Sequence, residues 1–464
     1  MKPYLSFIKI AFLLLVAGFY TSCKKAPSSD ETPTPTGPVT TREINTWIVD
    51  SLRYYYYWAD ALPLSPDLSL SPKSFFSSVK NGSDRFSTLY LPGDASTYTA
   101  SSRSTYGFDY STIIEPSSQK AVGLVKLVID QSPAARSGLK RGDYITRING
   151  TTITETNAAE LQQQLLTQSN IKITLADLQN GQFTERAPID LLTGITLNQP
   201  ITSKVMVAGS VKVGYLYIND FIAGQREDMQ GKMLALKNSG ITELIIDLRY
   251  NLGGDVSAAA ALCAMIAPNI QSNTAFIKYT GNRNGGTRIE SFAEAATYNG
   301  GPAFTNYRAA APALSRVYLI GTGATASAAE VVINNLKPYI SVIFIGEKTI
   351  GKDEAAFTIA DLRTPKRIEW EMLPIVYKIA NAAGTGNYSS GLLPDYTINE
   401  MAALPLKPIG DATDPLIAAA IRSASGLAVV SINDKSLSSS TKPLQVLTDT
   451  RLIQAQQSIV ITHR

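Results

Sequence analysis

The chain has 464 residues, is 44% hydrophobic and 17% charged, and carries 42 Lys and Arg against 38 Asp and Glu, a net charge of +4. Such a chain can bury a sizeable core in more than one compact unit, and its near-balanced charge shows no basic stripe for nucleic acid. The single histidine, His463, sets aside His-based hydrolases and His-rich metal sites; the two cysteines, Cys23 and Cys263, give no disulfide framework if Cys23 is otherwise used.

Residues 1–22 join Lys2 and Lys9 to the apolar run IAFLLLVAGFY, which falls short of the roughly 20 residues a membrane-spanning helix needs. Thr21 and Ser22 then precede Cys23, and the segment resembles a bacterial lipoprotein signal, cleaved before Cys23 and acylated on its thiol. The alternative is an ordinary secretory leader or an uncleaved anchor. The expectation is an exported protein, lipid-anchored to the bacterial cell envelope at the outer membrane. Residues 23–40 are rich in Pro, Ser and Thr and read as a flexible tether.

Residues 41–100 read as a small helical unit. Ile44, Trp47, Ile48, Leu52 and Tyr55 fall at helical spacing after a Thr41 cap, and the tyrosine run Tyr54–Tyr57 reads as helix packing. PKSFFSSV and DRFSTLY suggest a second short helix and a turn.

Residues 101–192 center on SPAARSGLKRGDYITRINGTTI. Ser-Pro starts a short helix that Gly138 ends, the strand YITRI follows, and Asn149-Gly150 makes a tight hairpin turn. This resembles the core of PDZ domains of the type found in bacterial proteases. The resemblance implies that Tyr106, Gly107 and Phe108 form the loop that captures a peptide's terminal carboxylate. It also implies a peptide that adds as a strand beside the helix AAELQQQLLT. A PDZ-like unit that only packs against the rest of the chain is the alternative.

Residues 193–425 alternate apolar strands with helical stretches, as in an α/β unit whose sheet is buried on both faces. Here RVYLIG ends in a Gly-rich turn, Ser327 opens an Ala-rich helix, and SVIFIG returns to a loop carrying Lys352. About twelve helical residues cover ~18 Å and a six- or seven-residue strand returns ~20 Å, so the two loops reach the same end of the sheet. A serine hydroxyl needs a base, and a lysine serves as one only when burial lowers its pKa. Taken singly, Ser327 reads as a helix N-cap and Lys352 as a surface charge. The turn after IIDLRYN places Gly253 and Gly254 where backbone amides can approach a carbonyl oxygen. Alone it reads equally as an anion-binding turn, without P-loop spacing.

Together SPAARSGLKRGD, DLRYNLGG, TASAAE, TIGK, GLLPDYTI and GDATDPLIAAAI resemble the carboxyl-terminal processing (tail-specific) serine peptidases. The resemblance implies a multidomain α/β protein with a small helical N-terminal unit, a PDZ-like β/α domain and a peptidase core with a Ser-Lys dyad. It assigns Ser327 as nucleophile, Lys352 as base, and the amides of Ala328 and of Gly253 or Gly254 as the oxyanion hole. Substrates are protein or peptide, and no cofactor or metal is called for. Two positions depart from the family: Ala329 stands for a usual serine, and Ala356 for a glutamine that orients the lysine. Asp353, Glu354 and Asn251 are open as replacements, as is a lysine held by packing alone. A catalytically degenerate peptide-binding lipoprotein is the competing reading. Residues 426–464 read as a tail of unknown role.

Overall fold

In the computed structural model, residues 37–98, 101–194, 201–429 and 444–450 are described. The expected leader, the expected acylation site Cys23, most of the tether and His463 lie outside them. The described residues from Thr40 onward belong to one compact unit.

The first helix, Thr41–Tyr55, is capped by Thr40 rather than Thr41, because the Thr40 hydroxyl accepts from the Glu43 amide at 3.1 Å. Its apolar face buries Ile48, Val49 and Leu52 against Phe75, Phe76 and Val79 of a second helix, Pro72–Val79. The following strand, Thr88–Tyr90, pairs antiparallel with Glu371–Leu373, tying this region to the α/β core.

That core is built on a six-stranded sheet. Its strands Val211–Tyr217, Glu243–Asp247, Arg316–Gly321 and Ser341–Gly346 lie side by side and parallel, with Thr202–Ala208 antiparallel at one edge. Every residue of the helix Val256–Ile266 is buried, as its unbroken SAAAALCAMI composition demands. Cys263 is fully buried there, and burial pushes its thiol well above the usual range. A separate four-stranded sheet adds Ala275–Thr280, Thr287–Ser291, Glu354–Ala356 and Ile375–Asn381.

The PDZ region forms its own sheet from Phe108–Ile114, Ala121–Val128, Tyr144–Ile148, Asn170–Gln179 and Gln182–Glu185. The helix Ala158–Thr167 buries Leu161, Leu165 and Leu166 in its core. The strands of the four-stranded sheet are not among the expected elements, nor is Gln445–Asp449, a strand within the tail that pairs with Phe108–Ile114.

Candidate active site

Three adjacent parallel strands point their carboxyl ends at one place, where loops of α/β sheets gather functional groups. Glu243–Asp247 leads into the glycine turn, Arg316–Gly321 into Ser327, and Ser341–Gly346 into the loop of Lys352.

Ser327 precedes the helix Ala328–Leu336 with φ +67° and ψ −124°, fully buried. A non-glycine residue held there costs about 1–3 kcal/mol, so its surroundings must over-determine it. They do so through the glycine-turn segment. The Thr325 hydroxyl donates to the Leu248 carbonyl at 2.8 Å, and the Ala326 amide donates to the Asn251 carbonyl at 2.9 Å. The Ser327 hydroxyl has no hydrogen-bond partner, so it makes no bond to Lys352 in this state.

Glu330, three residues into the same element, holds the two halves together. Its Oε2 accepts from the amides of Ser327 and Lys352, both at 2.7 Å. Its Oε1 accepts from the Gly351 amide at 2.7 Å and from the Thr349 hydroxyl. Burial raises its carboxyl pKa and these donors oppose the rise. Ser-x-x-Glu before an apolar helix is a capping-box pattern, a signal that could have found Glu330 in the sequence.

Lys352 is fully buried, its ammonium 4.8 Å from the centroid of the Phe86 ring. Burial lowers its pKa to about 7; Glu354, Glu330 and Asp84 oppose that, and Arg85 adds to it. Arg85 donates to the carbonyls of Gly351 at 2.6 Å and Ser389 at 2.9 Å. Asp84 accepts from the Phe86 and Ser87 amides, both at 2.9 Å, and from the Tyr56 hydroxyl at 2.6 Å. The DRFS turn therefore forms one wall around the lysine, a role its sequence reading as a turn did not reveal.

Among the three groups left open as replacements for the glutamine, Asn251 is committed elsewhere. Its amide donates to the Ile218 carbonyl at 3.0 Å and its oxygen accepts from the Gly253 amide at 2.8 Å. Asp353 and Glu354 share Lys378, at 3.0 and 2.5 Å. Each keeps one buried oxygen without a partner. Tyr388, whose hydroxyl is buried and without a partner, interacts electrostatically with Glu330, Asp353 and Glu354. Burial keeps it protonated, and no sequence motif pointed to it.

The two glycines separate clearly. A Cβ on Gly253, at φ +106°, would lie 2.4 Å from the Ser327 Cβ and 2.9 Å from the Ala328 nitrogen. A Cβ on Gly254 would instead meet the Phe221 carbonyl oxygen at 2.1 Å. Gly253 is thus the one packed on Ser327, although its amide donates to Asn251 here. Ser327, Ala328, Gly253 and Lys352 come together. Tyr106, Gly107 and Phe108 lie apart, buried at the start of the groove strand Phe108–Ile114. Gly107, at φ +85°, uses its amide to close the preceding helix on the Ser102 carbonyl at 3.1 Å.

A buried ionic network underlies the glycine turn. Arg249 is fully buried between Asp247, at 2.8 Å, and Asp414, at 2.8 Å. Tyr250 bonds both Glu400 and Arg141, the arginine of the PDZ-region RGD turn.

Residues 212–365 match the family described as Peptidase family S41, residues 43–88 its N-terminal domain, and residues 124–176 a PDZ domain. The chain is 28% identical over 239 residues to a carboxyl-terminal-processing protease of Synechocystis, covering 50% of each. It is 24% identical over 271 residues to the chloroplastic carboxyl-terminal-processing peptidase 1 of Arabidopsis thaliana, covering 58% of this chain and 51% of the relative. The chain thus spans about half the length of the curated relatives it matches. A Bacteroides fragilis crystal structure assigned to the S41 proteases superposes with a TM-score of 0.66 at 26% identity, covering 85% of this chain and 99% of the other.

Proposed function

We propose, from the premise that the chain belongs to the carboxyl-terminal-processing serine peptidase family with a PDZ domain, that it cleaves extended polypeptides through Ser327 and Lys352. The observation that carries this is the buried lysine with its pKa lowered to about 7, its backbone sharing the Glu330 carboxylate with that of Ser327.

In the proposed reaction, neutral Lys352 takes the Ser327 hydroxyl proton as the oxygen attacks the scissile carbonyl. The oxyanion that forms accepts from the Ala328 amide at the helix N-terminus, where the dipole favors negative charge. The Gly253 amide supplies a second donor once it turns from Asn251. The Lys352 ammonium then protonates the leaving amine as the C–N bond breaks, leaving an acyl-serine. Neutral Lys352 next deprotonates a water that attacks the ester, and the proton returns to the serine oxygen. Catalytic contacts that are loose without substrate and tighten when it binds are a common pattern.

The substrate side of the proposal assigns the PDZ region to recognition of C-terminal tails. The envelope location rests on the lipoprotein-like segment ending at Cys23; loss of radioactive palmitate incorporation in Cys23→Ala tests it. For the chemistry, wild type and Ser327→Ala are compared in turnover of an unfolded protein. Equal rates overturn the hydrolase reading.

Two observations favor a second reading, a degenerate peptide-binding scaffold: Ala356 stands where the family's orienting glutamine is expected, and the Gly253 amide is occupied by Asn251. Peptide binding without Ser327-dependent cleavage decides for it.

A further inference from the structure

The free edge of a PDZ sheet, beside its helix, is where an extended peptide adds as a strand. In this chain that edge is filled. Gln445–Asp449 runs antiparallel to Phe108–Ile114, with Asp449 opposite Ser111, Thr448 opposite Thr112, Val446 opposite Ile113 and Gln445 opposite Ile114. It also packs on the helix Ala158–Thr167, the other wall of the groove. Its later residues lie nearer the Tyr106–Phe108 loop, the polarity of a peptide whose C-terminus approaches that loop.

The contacts are those of a ligand. Asp449 Oδ2 accepts from the Ser111 hydroxyl at 2.8 Å and from the Lys126 ammonium at 2.8 Å. The Thr450 hydroxyl accepts from the Tyr110 amide at 3.0 Å and donates to its carbonyl at 3.1 Å. Little apolar surface goes with them, since Gln445 and Val446 are exposed and Leu447, Thr448 and Asp449 only half-buried. The pairing also slips register between Thr112 and Ile113. Lys126 keeps Glu400 at 3.5 Å, so departure of Asp449 leaves no buried cation without a counter-charge.

We infer that the peptide groove is closed in cis by Gln445–Asp449, and that the peptides able to displace it carry a carboxylate side chain at the position facing Lys126 and Ser111. This rests on reading the PDZ region as a peptide-binding site. A covalently linked segment competes at an effective concentration on the order of millimolar; if its intrinsic Kd is about 10–100 μM, it weakens outside peptides roughly 10- to 100-fold.

The test uses a fluorescein-labelled peptide of residues 444–450, followed by anisotropy against the full chain carrying Ser327→Ala. The same chain with Asp449→Lys and one ending at residue 443 are titrated beside it. The inference expects both tail variants to bind the peptide roughly 10- to 100-fold more tightly than the full chain. The same peptide with lysine in place of its aspartate should bind neither variant. Equal affinity for all three chains, or equal binding of the lysine peptide, overturns the inference and leaves peptide binding standing. No binding to any chain overturns the peptide-binding reading with it. Asp449→Lys changes one half-buried side chain, so it serves if the truncation fails to fold.

Discussion

Glu330 and Lys352, 22 residues apart, are joined by a 2.7 Å hydrogen bond from the Lys352 amide to the carboxylate that also receives the Ser327 amide. One buried side chain thereby sets where the candidate nucleophile and base stand relative to each other. Glu330→Gln keeps the shape but gives up one of two acceptor oxygens and turns an NH2 group toward backbone donors. Each buried donor left without a partner costs about 1–3 kcal/mol. The expected result is a fall in unfolding free energy of that order in urea, with kcat lowered well beyond the change in KM.

The pH dependence follows from Lys352. Its folded pKa, about 7, lies below the ordinary 10.5, and in the proposed reaction only the neutral amine serves as base. kcat/KM should therefore rise with pH to a plateau above about 7. For stability the sign is the same: from about pH 7 to 10 the unfolded lysine is protonated and the folded one is not, so stability rises with pH across that window. Lys352→Met should remove both effects, the first in a pH–rate profile and the second in urea titrations at two pH values.

Phe86 and Arg85 act on the lysine from outside the strands that deliver it. Phe86→Ala admits water beside the ammonium and should move the pH–rate midpoint upward, while Phe86→Leu leaves it nearly in place. Arg85→Ala frees the carbonyls of Gly351 and Ser389, which it now holds. We expect it to lower kcat while leaving binding of tail peptides unchanged, a split that separate kinetic and anisotropy measurements resolve.

Gly253→Ala forces a Cβ to within 2.5 Å of the Ser327 hydroxyl oxygen at a backbone φ of +106°. Turnover should vanish while peptide binding by the PDZ region persists.

Arg249→Ala leaves Asp247 buried without its cation and Asp414 with only Arg141, at 3.9 Å. Breaking such a pair costs about 3–5 kcal/mol, to be seen as a matching loss of unfolding free energy.

Much of this architecture was legible in the sequence. Strands such as RVYLIG and SVIFIG are near-continuous apolar runs, and the Ala-rich helix between them starts at Ala328, directly after Ser327. The return of the chain to the same sheet end followed from element lengths alone. The rest depends on contacts across long separations, which no local pattern carries. Arg85 reaches Gly351, 266 residues away, and no local pattern encodes that meeting. Tyr388 is a lone aromatic in a polar loop until the fold encloses it. Gln445–Asp449 is five residues with only two β-branched side chains, Val446 and Thr448, and it becomes a strand where Phe108–Ile114 offers an open edge. Ala356 marked the absence of a glutamine, but which groups surround the lysine instead was decided by packing.

Whether buried neutral Lys352 activates Ser327 can be read from labelling with a fluorophosphonate serine reagent, followed by mass spectrometry across pH. A single adduct should form on Ser327, at a rate that rises through about pH 7, with none in Ser327→Ala or Lys352→Met. An adduct elsewhere, or a Ser327 rate unaffected by pH and by Lys352→Met, would contradict that activation.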